Sequence, residues 1–321
     1  MITSFLIIQC VILVCLFYHI TRERKKLGRQ ITHCTQPRPY HNQLRNPLLS
    51  VSGWADRPAH VVISLPKCGG NTLANTVRNA FPRHSVAYVH IISRKGMEHA
   101  MNLWLGDRPL ASGSQATRGH LNETREVRMM IEEQRERYGR PVGYYLCGVR
   151  DPVALAVSGY FQAFTTIEEL QKLTVQQVKH EILNVHPVLT KLAFFEGGFD
   201  GWFNREILDV LGVDVFNRAF DHEKGHVLFR QGGVNVLVIR QENFDSLPTA
   251  LGELYDLPAR MFPVENANRA QDKVFGRIYK EMVSKLKFEG GLLDELYESR
   301  YARHFYTPTE LSAFRLRWQQ E

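Results

Sequence analysis

The chain has 321 residues, 44% hydrophobic and 23% charged. This excludes a disordered or fibrous polymer and suits one large α/β domain or two small ones. Forty lysines and arginines against 33 aspartates and glutamates leave +7, which favours an anionic partner such as a nucleotide, a polyanion or a membrane surface. Nucleic acid is not expected: zinc-finger spacing, RNA-binding aromatic motifs and basic runs beyond the N-terminus are missing from the sequence. Five irregularly spaced cysteines (Cys10, Cys15, Cys34, Cys68, Cys147) read as free thiols, not as a disulfide framework or a zinc site.

The first twenty residues, MITSFLIIQCVILVCLFYHI, carry no Lys, Arg, Asp or Glu. A stretch of that length can span a hydrocarbon core, so residues 1–21 are predicted to form a transmembrane anchor. Arg22, Arg24, Lys25, Lys26 and Arg29 follow, opposed by Glu23. A cleaved signal peptide carries its positive charge ahead of the apolar core, so a retained anchor fits better. The positive-inside rule then places the body of the protein in the cytoplasm. Residues 22–59 form a basic flank and a Pro-containing linker, and residues 60–321 form the body.

From His60 the pattern alternates. His60 to Leu65 is a continuous apolar run, the mark of a strand buried on both faces. A Gly-containing loop leads into a helix from about Thr72 to Ala80. Ser85 to Ile92 and Tyr144 to Val149 read as the second and third strands. A helix from Val153 to Phe164 has Pro152 at its first turn, and Val234 to Ile239 is the fourth strand. The polar insert Ser112 to Arg140 reads as a solvated helix face and contains one glycosylation sequon, Asn122-Glu123-Thr124, expected to be accessible. The chain beyond Asp272 is helical in pattern. Strands alternating with helices predict an α/β fold: a P-loop-like, three-layer arrangement around a central, mainly parallel sheet.

The most informative stretch is Leu65-Pro66-Lys67-Cys68-Gly69-Gly70-Asn71-Thr72-Leu73, between a strand and a helix. Glycines there let the backbone approach an anion, and the N–H groups of a helix start favour negative charge. The lysine precedes the glycines, so this is not a Walker A loop, and a P-loop kinase is disfavoured. A second stretch, Gly148-Val149-Arg150-Asp151-Pro152 with Ser158 eight residues after the arginine, offers a planar fork of donors and a hydroxyl suited to phosphate.

Together these two stretches resemble the cofactor motifs of sulfotransferases that use 3′-phosphoadenosine-5′-phosphosulfate (PAPS). The resemblance implies that Lys67, Cys68, Gly69, Gly70, Asn71 and Thr72 hold the 5′-phosphosulfate while Arg150 and Ser158 hold the 3′-phosphate. Many family members have a second arginine five residues after the first; Leu155 stands there. Val238 to Phe244, including Arg240 and Glu242, resembles a further strand-end segment of the family and reads as mainly structural. Tyr297-Glu298-Ser299-Arg300-Tyr301, followed by His304-Phe305-Tyr306, is similar to the tail of the sulfotransferase-related group named for capsular polysaccharide synthesis. That group's Trp-Tyr pair is replaced by Val274 and Phe275.

The resemblance implies a transferase that moves a sulfuryl group from PAPS to a hydroxyl, with a carbohydrate as the family-level acceptor and no metal. Lys67 would neutralise the leaving phosphate oxygen, by analogy with phosphoryl transfer. His90, near the end of the second strand, is the expected catalytic base, with Glu98 and His99 as alternatives. Two other readings stay open. One is a membrane-tethered nucleotide-binding protein without catalysis, which Leu155 would suit; the other is a small-substrate kinase. The Golgi sulfotransferases place their catalytic body in the lumen, the alternative to the cytoplasmic orientation that the charges predict.

Overall fold

The computed structural model describes residues 58–98, 114–161, 171–184, 198–264 and 276–319. The anchor, the basic flank and nearly all of the linker lie outside the described residues, as does His99. Among the described residues no helix is long and apolar enough to cross a membrane.

The centre is a five-stranded sheet in the order β2-β1-β3-β5-β4. Its strands are β1 (Ala59–Ile63), β2 (Val86–Val89), β3 (Gly143–Val149), β4 (His226–Gln231) and β5 (Val234–Arg240). Contacts β1–β2, β1–β3 and β3–β5 are parallel, and β4 pairs antiparallel with β5 at one edge. β1 is buried at every position. Its side chains alternate between two cores, as a pleated strand requires. Val61 and Ile63 enter one core, Val62 the other.

Helices cover both faces. On one face α1 (Gly70–Ala80) contributes Leu73, Ala74 and Val77, and α6 (Leu247–Tyr255) contributes Leu247, Ala250, Leu251 and Leu254. On the other lie α2 (Ser114–Tyr138), α3 (Pro152–Phe161), α4 (Val175–Asn184) and α5 (Gly198–Trp202), which runs on into a π-helical segment, Phe203–Leu208. The same face takes the C-terminal helices α8 (Gly290–Tyr297), α9 (Arg300–Phe305) and α10 (Pro308–Trp318), while α7 (Gly276–Lys285) adds Met282. Each fully buried Val, Leu or Ile is worth roughly 1.5–3 kcal/mol against exposure, so these two layers carry the stability.

Within the polar insert, residues 114–138 are one long helix, α2, which buries one side rather than being wholly solvated. Val127, Met130 and Ile131 are buried against the sheet, while Glu132 and Glu136 face solvent. The sequon lies within this helix, not in a loop: Asn122 is exposed, but Thr124 is buried at 2%. Leu155, where the sulfotransferases that the sequence resembles carry a second arginine, is 1% exposed in the core.

Candidate functional site

β1 and β3 are adjacent and parallel, and the chain leaves them in opposite directions across the sheet, β1 to β2 and β3 towards β5. Ligands of open α/β sheets bind beyond the strand ends where the order reverses in this way. The loop after β1 carries Lys67 to Thr72; the loop after β3 carries Arg150. The topology therefore brings together the two stretches that the sequence singles out, and one bond joins them: Arg150 Nη1 donates to the Lys67 carbonyl at 3.2 Å.

The loop's backbone is unusual where the chemistry would sit. Lys67 has φ 66°, the left-handed region that costs a side-chain-bearing residue about 1 kcal/mol. Gly69 has φ 76° and precedes α1, and no side chain caps that helix. A helix start left without a side-chain cap directs its N–H groups and the positive end of its dipole at an anion. The loop also packs tightly on β3: a Cβ on Gly148 would lie 2.1 Å from the Cys68 carbonyl oxygen. Only glycine at that position of β3 admits the loop at this depth. Cys68 is fully buried, and burial pushes its thiol well above the usual range, so it is a packing residue whose main chain serves the loop.

Beyond Val149 the chain leaves the sheet and is held by other means. The Tyr301 hydroxyl accepts from the Arg150 N–H at 3.0 Å and donates to the Arg150 carbonyl at 2.8 Å. The next N–H, that of Asp151, donates to Glu242 Oε1 at 2.9 Å. Asp151 Oδ1 accepts from the Val153 N–H, which starts α3, and from the Tyr297 hydroxyl; Oδ2 accepts from Trp318 Nε1 at 2.9 Å. The Tyr306 hydroxyl donates to Glu242 Oε2 at 3.1 Å. Burial raises both carboxyls above the usual carboxylate range. Ser158 sits on the second turn of α3, half-buried.

His90 follows β2. Its Nδ1 lies 2.8 Å from the Ser64 carbonyl, one residue before Leu65 of the loop. A carbonyl only accepts, so Nδ1 carries the proton and the lone pair of the neutral ring falls on Nε2. The segment is gripped from behind by α5 and its π-helical extension. Trp202 Nε1 donates to the His90 carbonyl at 2.8 Å. Glu206, fully buried, accepts from the N–H groups of Ile92 and Ser93 at 2.7 Å each, from the Ser93 hydroxyl, and from Arg205 Nε at 2.8 Å. Trp202 and Glu206 carried no signal in the sequence; only the tertiary fold joins them to a segment over a hundred positions away. Glu98 is exposed and paired with Arg94 at 3.1 Å, a solvated surface pair.

A family model described as "putative capsular polysaccharide synthesis protein" matches residues 174–307. No curated protein and no solved structure matches the chain. The matched region supplies Trp202, Glu206, Glu242, Tyr297, Tyr301 and Tyr306, so over these residues the chain is similar to that family in the part that braces both the β2 and the β3 strand ends.

Proposed function

We propose that this protein is a sulfotransferase that uses PAPS as donor and a carbohydrate hydroxyl as acceptor. The observation that carries the reading is the bond between Arg150 and the Lys67 carbonyl. It joins a phosphate-type loop after β1 to an arginine after β3, at the switch point of a parallel sheet. A donor with phosphates at both its 5′ and 3′ positions needs two such anion sites side by side. The similarity of residues 174–307 to a capsular polysaccharide synthesis family supports a role on glycans.

In this scheme the N–H groups of Gly69, Gly70, Asn71 and Thr72 hold the 5′-phosphosulfate, and Arg150 with Ser158 binds the 3′-phosphate. The acceptor oxygen forms a bond to sulfur as the bridging sulfur–oxygen bond to phosphate breaks. The bonding electrons leave on the phosphate oxygen, which Lys67 stabilises. The acceptor proton passes to Nε2 of His90. The apolar segment 1–20 would tether the enzyme to a membrane, with its basic flank and catalytic body on the cytoplasmic side, where no transporter is needed for a cytosolic donor.

Calorimetry with the nucleotide product and with its analogue lacking the 3′-phosphate tests this directly. 3′,5′-Adenosine bisphosphate should bind at least about a hundredfold more tightly than 5′-AMP, since charge-assisted contacts to the extra phosphate are worth roughly 1.5–3 kcal/mol each. Equal affinities would overturn the assignment. Stabilisation by ATP with magnesium, and not by the bisphosphate, would favour a kinase instead.

A further inference from the structure

Three tyrosines at the C-terminal end, Tyr297, Tyr301 and Tyr306, are 4%, 0% and 1% exposed. Phenylalanine would fill the same space, and burying a hydroxyl costs free energy unless it finds a partner. All three hydroxyls are spent on one short stretch of backbone and its supports. Tyr301 clasps both main-chain groups of Arg150; Tyr297, with Trp318, holds the Asp151 carboxylate; Tyr306 holds Glu242, which in turn accepts from the Asp151 N–H. The spacing follows from the helices. Tyr297 ends α8, Tyr301 lies on the first turn of α9, and Ser299 between them caps α9 by accepting from the Ala302 N–H.

This arrangement replaces a missing ladder. β3 pairs with β5 only as far as Val149 and Arg240, so the main chain of Arg150 has left the sheet. A long, flexible side chain rooted on a loose strand end would reach an anion in many geometries, and a shift of about 1 Å is enough to weaken a positioned contact severely. We infer that Tyr301, backed by Tyr297 and Trp318, is a positioning residue: it fixes the root of Arg150 so that its guanidinium can read a 3′-phosphate beside the loop. The inference rests on the PAPS reading above and deepens it, since it assigns 3′-phosphate selectivity to hydroxyls that never touch the nucleotide.

The test uses the full chain, wild type and Tyr301→Phe, with affinities for 3′,5′-adenosine bisphosphate and 5′-AMP measured by calorimetry. Removing only the hydroxyl keeps the ring packed on Phe199 and Phe305. The bisphosphate should weaken about tenfold, roughly the value of one such hydrogen bond, while 5′-AMP changes less than about twofold. Tyr255→Phe is the comparator. Its hydroxyl bonds His60 at 3.1 Å, on the first strand's entry side, and its loss should leave the ratio of the two affinities unchanged. If Tyr301→Phe is not recovered folded, Tyr297→Phe should give the same drop in ratio. A folded variant with the wild-type ratio, or with both affinities falling together, overturns the clasp and leaves the cofactor assignment standing. A wild-type protein that does not distinguish the nucleotides overturns both.

Discussion

Lys67 combines two properties that are separable by substitution. Its ammonium is the charge that the proposed reaction needs at the leaving oxygen, and its backbone sits at φ 66°, where only glycine is at ease. Lys67→Ala and Lys67→Gly should therefore both lose at least about a hundredfold in turnover, the scale of a lost electrostatic contact. The glycine variant should be the more stable of the two by about 1 kcal/mol. Transfer of labelled sulfate to a responsive polysaccharide gives the first quantity and urea denaturation the second; equal stabilities would show that the loop carries no left-handed strain. His90→Gln should lower turnover by about a hundredfold or more and leave nucleotide affinity unchanged. Lost nucleotide affinity in that variant would remove His90 from the role of base.

At the scale of elements, the exit from β2 depends on a carboxylate with four donors. Glu206→Gln puts an amide among groups that all donate and breaks a buried ion pair with Arg205 at 2.8 Å. It should cost about 3 kcal/mol or more and slow turnover by loosening the His90 segment. Glu98→Gln breaks only an exposed pair, worth about 0–1 kcal/mol, and should change neither quantity. Denaturation curves and turnover of the two variants check this, and lost turnover in Glu98→Gln would transfer the base to that residue. These elements also show what could be read in advance. β1, β3 and β5 announce themselves because strands buried on both faces are near-continuous apolar runs, interrupted only at single positions such as His60 and Asn235, and the loop after β1 because its glycines end one. β4, His226–Gln231, carries no such run. As an edge strand it has exposed positions and two terminal polar residues, which dilute the apolar signal. Glu242 read as structural, and its contacts are those of a buried brace. The grip of Trp202 and Glu206 was invisible because a hydrogen bond across the fold leaves no local periodicity. The tail tyrosines appeared as a pattern whose purpose emerges only with their partners.

For the whole molecule, the entry side of the sheet sets how stability responds to acid. His60, on β1, is 4% exposed among Phe81, Tyr144 and Tyr255. Its Nδ1 meets the Tyr255 hydroxyl at 3.1 Å and its Nε2 meets His84 Nδ1 at 3.0 Å. Burial first, and the neighbouring His84 second, lower its pKa from 6.5 to about 4. The neutral ring is therefore the folded form, and the unfolded chain binds the extra proton. Between pH 6.5 and 4 the unfolded state holds more protons, so stability rises with pH across this window and is lost as pH falls through it. A shift of this size sets a ceiling of about 3 kcal/mol on the loss. Stability measured by urea denaturation from pH 7 to pH 4 should fall more steeply for the wild type than for His60→Phe. That variant keeps an aromatic ring in the cluster and removes the titration. It starts lower at pH 7, because the Tyr255 hydroxyl and His84 each lose a partner, so the diagnostic is the slope and not the level. Identical slopes for the two proteins would show that His60 does not couple folding to protons in this range.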